Sequence, residues 1–173
     1  MQTGVTVVLG GAASGKSAFA EELTLRHDRR MTYLATSRVL DEEMRKKVAD
    51  HAARRGAEWS LVEEPMEPGA VLAGLGAGEV VLLDCATMWL SNHLMAGSDL
   101  GAAQARLLTS LEATEAAVVV VTNEVGAGIV PDNPLARRFR DAQGRLNIAL
   151  AAQADRVVQV VAGLPNVLKG ALP

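Results

Sequence analysis

Eight residues near the start of the chain, Gly10-Gly11-Ala12-Ala13-Ser14-Gly15-Lys16-Ser17, have the spacing G-x-x-x-x-G-K-[ST]. They follow an apolar β-branched run directly and open a helical stretch. Glycines there let the backbone curl so that successive N–H groups and the helix N-terminus face an anion. In this pattern Lys16 reaches the β- and γ-phosphates of a nucleotide and the Ser17 hydroxyl binds Mg²⁺, so the segment reads as a phosphate-binding loop. Such a loop needs a carboxylate on the magnesium side at the end of another apolar strand. Val80-Val81-Leu82-Leu83-Asp84 supplies it, and Asp84 is the candidate. Cys85, beside it, reads as a small buried hydrophobe. The guanine-reading N-K-x-D of signalling GTPases does not occur.

A second group of residues could do covalent chemistry. His51 lies on a predicted helix over Asp41 to Arg55, where Met44, Val48, His51 and Arg55 share a face by steps of three and four. Arg54 and Arg55 follow it by three and four residues and suit a phosphate. A neutral imidazole is a competent nucleophile, and the arginines would offset charge developing on an attacked α-phosphate. A histidine at helical spacing is also an ordinary packing residue, and spacing alone does not separate the two. His27 at a helix C-terminus and His93 in an apolar helix lack such neighbours and read as structural.

The elements that must position these groups alternate. Short β-branched runs at Val5 to Leu9, Met31 to Ala35, Val80 to Leu83, Val118 to Thr122 and Val157 to Val161 predict strands. Their near-continuous apolar character predicts burial on both faces, as in a parallel sheet covered by helices. Besides the helix bearing His51, helices are predicted over Ser17 to His27, Thr87 to Met95, Leu100 to Glu115 and Pro134 to Ala154. Asn133 would be the N-cap of the last, with Pro134 in its first turn. A sixth strand is placed at Glu58 to Val62, and Gly69 to Gly78 is a short helix or a loop. The fold class is α/β.

With 173 residues, 49% apolar and 21% charged, the chain has the composition of one globular domain, spanning residues 1–173. Its 17 basic and 20 acidic residues give a net charge of −3, and only 3% of residues are aromatic. Neither favours nucleic-acid binding, through phosphates or through base stacking. The single cysteine excludes an internal disulfide framework, and neither a signal peptide nor a membrane span is evident. A reducing cytosol is the expected compartment.

Taken together, the chain closely resembles the bifunctional adenosylcobinamide kinase/adenosylcobinamide-phosphate guanylyltransferases of cobalamin biosynthesis, from about Val7 to Pro165. The phosphate loop specifies only a superfamily. More specific are Tyr33-Leu34-Ala35-Thr36-Ser37, His51-Ala52-Ala53-Arg54-Arg55, Trp59, Asp84-Cys85 and Trp89-Leu90-Ser91-Asn92. So too are Thr122-Asn123-Glu124-Val125-Gly126, Gly128-Ile129-Val130-Pro131, Leu135-Ala136-Arg137, Phe139-Arg140-Asp141, Gly144, Asn147 and Ala154-Asp155. Two departures stand out. Ala13 occupies a position that is larger and often basic in many relatives, and Ala86-Thr87-Met88 replaces a more leucine-rich run.

The resemblance implies a P-loop fold with a RecA-like sheet and a homotrimer. It implies phosphorylation of the aminopropanol hydroxyl of adenosylcobinamide by ATP or GTP, then GMP transfer from GTP through a guanylylated histidine, which matches His51. It implies that Gly10, Gly11, Ala12, Ala13, Ser14, Gly15, Lys16 and Ser17 hold phosphates. Ala35, Thr36, Ser37, Ala52, Ala53, Arg54, Arg55, Glu63 and Asp84 would complete the GTP site. Glu124, after the fifth predicted strand on the edge where α/β sheets bind ligands, is a candidate for a substrate or metal-water role. The competing readings are a P-loop small-molecule kinase with no histidine intermediate and a RecA-like ATPase.

Overall fold

A computed structural model describes residues 4–37 and 58–172. Seven strands among them form one sheet: β1 (Val5–Gly10), β2 (Arg30–Ala35), β3 (Trp59–Glu63), β4 (Glu79–Asp84), β5 (Ala117–Asn123), β6 (Arg156–Val161) and β7 (Leu164–Lys169). The order is β3-β2-β4-β5-β1-β6-β7, parallel throughout except for β7, which runs antiparallel to β6. The helices are α1 (Lys16–Leu25), α2 (Pro68–Leu72), α3 (Ala86–Met95), α4 (Leu100–Ala113) and α5 (Pro134–Gln153).

The valine runs are continuous because each central strand is covered on both faces. Val118 and Val120 of β5 pack with Leu83, Trp89, Leu107 and Leu146 on the side of α3, α4 and α5. Val119 and Val121, pointing the other way, pack with Leu82, Ala20 and Leu23 on the side of α1. Strand alternation therefore survives inside a run that shows no polar residue. With few aromatics available, Trp89 is the largest fully buried side chain, and aliphatic residues fill most of the remaining core.

The helix ends follow the local signals. Asn133 accepts from the N–H groups of Leu135 and Ala136 ahead of Pro134, as its position predicts. The predicted strand at Glu58 to Val62 is β3, on the sheet edge, and Gly69 to Gly78 holds the end of α2 and a turn. The predicted helix Asp41 to Arg55 lies outside the described residues. One element had no counterpart in the sequence reading. β7 follows β6 through a two-residue turn in which Ala162 has φ 52° and Gly163 has φ 78°. Ala-Gly is a weak hairpin signal beside Asn-Gly or Asp-Gly, and Pro165 argues against a strand unless it lies on an edge, as it does here.

Far from the phosphate loop, Asp155 closes the start of β1. Its carboxylate accepts from Val5 N–H at 2.9 Å, and its own N–H donates to the Val5 carbonyl at 2.9 Å. A Cβ at Gly4 would lie 2.4 Å from that carboxylate, so glycine is required there.

Candidate active site

Strand register puts the phosphate loop and Asp84 on one edge. Gly10 is opposite Asn123, Asp84 is opposite both Ala35 and Val121, and Ala35 is opposite Glu63. The carboxyl ends of five strands therefore line up, and Gly10 to Ser17, Ala35 to Ser37, Glu63 and Asp84 share that edge. His51, Ala52, Ala53, Arg54 and Arg55 lie outside the described residues.

The loop's two defining glycines have separate reasons. A Cβ at Gly10 would lie 2.6 Å from the Val160 carbonyl and 2.5 Å from Ser14 Oγ. Gly15, which caps α1, has φ 92°, and a Cβ there would come within 3.0 Å of Gly163 Cα. Gly11, at a free position of the pattern, has nothing within 4 Å of such an atom. Gly163 N–H also donates to the Ser14 carbonyl at 2.8 Å, so the β6–β7 turn braces the loop from above. Sequence reasoning missed this contact because it missed β7. Ala13, at the exposed tip, adopts φ 54°.

Lys16 spans its own loop, donating from Nζ to the Gly11 carbonyl at 3.0 Å. Partial burial lowers its pKa, opposed by nearby Cys85 and by the Asp84 carboxylate. An ammonium partly stripped of water gains most from phosphate oxygens. Ser17, one residue into α1, is half-buried beside it.

Asp84 accepts from the Tyr33 hydroxyl at 2.8 Å, a contact that sequence reasoning did not find. Ser17 and Asp84 offer hard oxygen donors, and no group of three or more His, Cys, Asp or Glu side chains that could hold a metal occurs among the described residues. Such a pair fits Mg²⁺, which is commonly held by one or two protein oxygens with the remainder from phosphate and water. Cys85 is fully enclosed, and burial with Asp84 alongside pushes its thiol up to about 12. It stays protonated at neutral pH and serves as N-cap of α3, its sulfur accepting from Met88 N–H at 3.4 Å.

Behind Asp84 the strand ends are stitched together by Thr36. Its hydroxyl donates to the Cys85 carbonyl at 2.7 Å and accepts from Cys85 N–H at 2.9 Å, while Asn92 Nδ2 donates to the Thr36 carbonyl at 2.8 Å. Thr36 is fully buried, whereas Ser37 beyond it is half-exposed and Glu63 is exposed. Asn92 also donates to the Pro65 carbonyl, and Trp89 Nε1 to that of Met66, so α3 carries the β3–α2 connection. His93 is buried with Nε2 at 2.9 Å from Met66 O, in the structural role expected of it.

At the end of β5, between β4 and the strand that carries the loop, Glu124 N–H donates to the Gly10 carbonyl at 3.0 Å, and its carboxylate accepts from Gly126 N–H. The segment after it is gathered by α5. Arg140 donates to the carbonyls of Gly126 and Ile129, and Arg137 to those of Pro131 and Asp132. These arginines, recognisable in the sequence only as part of a run, are backbone clamps.

The edge thus gathers the loop from Gly10 to Ser17, the Lys16 ammonium and the Asp84 carboxylate. Among solved structures, the fold is similar to the RadB recombinase (TM-score 0.54, 18% identity, covering 90% of this chain and 73% of that one). It is also similar to the P4 protein from bacteriophage phi6 in complex with ADP (TM-score 0.50, 23% identity, covering 96% and 53%). The fold is therefore the RecA-like one, a mainly parallel sheet flanked by helices with a P-loop after its first strand. In sequence, the chain is 41% identical over 167 residues to the bifunctional adenosylcobalamin biosynthesis protein CobP of Pseudomonas aeruginosa, covering 95% of this chain and 96% of the relative. It is 39% identical over 174 residues to the bifunctional adenosylcobalamin biosynthesis protein CobU of Escherichia coli, covering 91% and 96%. Residues 6–168 match the model of the family described as cobinamide kinase / cobinamide phosphate guanyltransferase. This chain belongs to that family of enzymes.

Proposed function

We propose that the protein phosphorylates adenosylcobinamide and then guanylylates the product, with both nucleotides read through Gly10 to Ser17. In the first step the aminopropanol hydroxyl of the corrinoid attacks the γ-phosphorus of ATP or GTP. The O–P bond forms, the bond to the β-phosphate oxygen breaks, and the nucleoside diphosphate leaves. Lys16 moves from the Gly11 carbonyl to the phosphate oxygens, and the loop N–H groups hold the β-phosphate. Ser17 and Asp84 would hold Mg²⁺, which supplies charge neutralisation along the phosphates when bound.

In the second step His51 attacks the α-phosphorus of GTP, releasing pyrophosphate and leaving GMP on the imidazole. The corrinoid phosphate then displaces the histidine to give adenosylcobinamide-GDP. Arg54 and Arg55 offset charge on the α-phosphate, and Ala35 to Ser37, Ala52 and Ala53, and Glu63 complete the nucleotide pocket. Splitting the transfer replaces one difficult displacement by two easier ones, the first by a neutral imidazole. Glu124 orients the acceptor or a metal-bound water. The working unit is a cytoplasmic homotrimer.

The observation that carries this reading is the register that sets Gly10 and Asp84 on one carboxyl edge, in a chain 41% identical to a bifunctional relative. The test is a division of labour. Lys16→Ala should impair both half-reactions, while His51→Ala should abolish GMP transfer and spare γ-phosphate transfer. Equal loss of both in His51→Ala would refute the assignment.

A further inference from the structure

The last peptide of β5 is held by uncharged side chains that phosphate binding does not itself require. Thr122, fully buried, donates from Oγ1 to Asn147 Oδ1 at 2.7 Å and accepts from Gln143 Nε2 at 2.9 Å. Gln143, also fully buried, has the same nitrogen 2.8 Å from Asn147 Oδ1. The other half of the Asn147 amide, Nδ2, donates to the Asn123 carbonyl at 3.0 Å. Asn123 N–H in turn donates to Thr87 Oγ1 at 2.8 Å. Both backbone polar groups of Asn123 are therefore fixed by side chains, one from α5 and one from α3.

That peptide has a particular place. Asn123 is opposite Gly10, the first glycine of the phosphate loop, and the next residue, Glu124, donates its N–H to the Gly10 carbonyl at 3.0 Å. Apolar residues at 122, 143 and 147 would fill the same space with no polar groups to desolvate. Gln143 Oε1 and Asn123 Oδ1 stay without a hydrogen-bond partner among the described residues, so what fixes one arrangement is the set of bonds through Thr122 Oγ1, Gln143 Nε2, both ends of the Asn147 amide and Thr87 Oγ1.

We propose that Asn147 is a positioning residue: through the Asn123 carbonyl it fixes the height of the β5 end, and with it the Asn123 and Glu124 side chains, against the phosphate loop during phosphoryl transfer. The proposal rests on the reading that Gly10 to Ser17 hold the nucleotide. It concerns geometry at the transfer step and not nucleotide affinity, which the loop and Lys16 supply.

The experiment compares the full-length parent with Asn147→Leu and Asn147→Asp. It measures kcat and KM for γ-phosphate transfer to adenosylcobinamide, and separately the equilibrium Kd for Mg²⁺·GTP. Asn147→Leu should lower kcat about tenfold or more, as misplacement near reacting groups does, with Kd unchanged within about twofold. Asn147→Asp keeps the oxygen used by Thr122 and Gln143, turns the donor facing Asn123 into an acceptor, and adds a carboxylate charge. It should reproduce the loss, and it carries the test if Asn147→Leu does not fold. A kcat within about twofold of the parent in a folded variant overturns the proposal, as does a Kd that rises in step with the fall in kcat. Lys16→Ala is measured alongside. If it leaves the Kd for Mg²⁺·GTP unchanged, the nucleotide reading fails, whatever Asn147 does.

Discussion

The β4 end and the β5 end are neighbours on one side of β1 and its phosphate loop, and they are built from different chemistry. The β4 end presents a charge, Asp84, steadied by the Tyr33 hydroxyl and backed by the two-way Thr36 contact with Cys85. The β5 end up to Asn123 is neutral, its last peptide held by Thr87 and Asn147. A carboxylate that shares a cation needs its charge kept and its direction set. A strand end that sets the position of an acceptor needs a fixed backbone and gains nothing from charge. On the function proposed above, the two ends would divide electrostatics from placement.

The largest disturbance falls on the loop after β1, next to them. Gly10→Ala forces a Cβ to 2.6 Å from the Val160 carbonyl and should destabilise the fold by about 2–4 kcal/mol or more, whereas Gly11→Ala, with open space around it, should stay within about 0.5 kcal/mol of the parent. Denaturant unfolding checks both. Equal effects would break the account of why the two positions differ. Next, Thr36→Val keeps the shape of the β4 clamp and strands the Cys85 N–H, which should cost about 1–3 kcal/mol and lower Tm by several degrees. Tyr33→Phe should cost about 1–2 kcal/mol of stability and raise the Mg²⁺ concentration for half-maximal activity by about three- to tenfold, read from a magnesium titration. An unchanged titration would remove Asp84 from the metal's surroundings.

The smallest effect sharpens the contrast through pH. Glu64, in the β3–α2 connection and separated from the β4 end by β2, accepts from Glu67 and Met66 N–H groups, which lower its pKa from 4.5. A depressed carboxyl contributes stability that is full above its unfolded pKa and is lost as pH falls through the folded value. Glu64→Gln should therefore make the acid limb of the stability curve shallower below about pH 4.5. Asn147→Leu should shift the whole curve without changing its slope, since the β5 network carries no titrating group. Equilibrium unfolding across that pH range separates the two.

What the sequence made legible follows the same division. The phosphate loop, Asp84 and the five central strands announce themselves through spacing and valine runs, because nucleotide binding and two-sided burial each demand a particular local pattern. Tyr33, Thr36 and Asn147 act at sequence separations of 51, 49 and 24 residues, and no local pattern encodes such contacts. Thr36, a nucleotide-pocket candidate by resemblance, also holds Cys85 through its hydroxyl, a contact no local pattern announces. β7 escaped because an Ala-Gly turn and an edge proline give little local signal, and with it went the contact of Gly163 on the loop.

The central claim is that one phosphate loop serves two nucleotide chemistries, with His51 carrying GMP between them. It is tested most directly by incubating the protein with Mg²⁺ and GTP labelled at the α-phosphate, denaturing it, and measuring label on the chain. The account predicts label that is acid-labile, alkali-stable and absent from His51→Ala. No retained label, while γ-labelled nucleotide still phosphorylates adenosylcobinamide, would contradict it and leave His51 a packed helical residue.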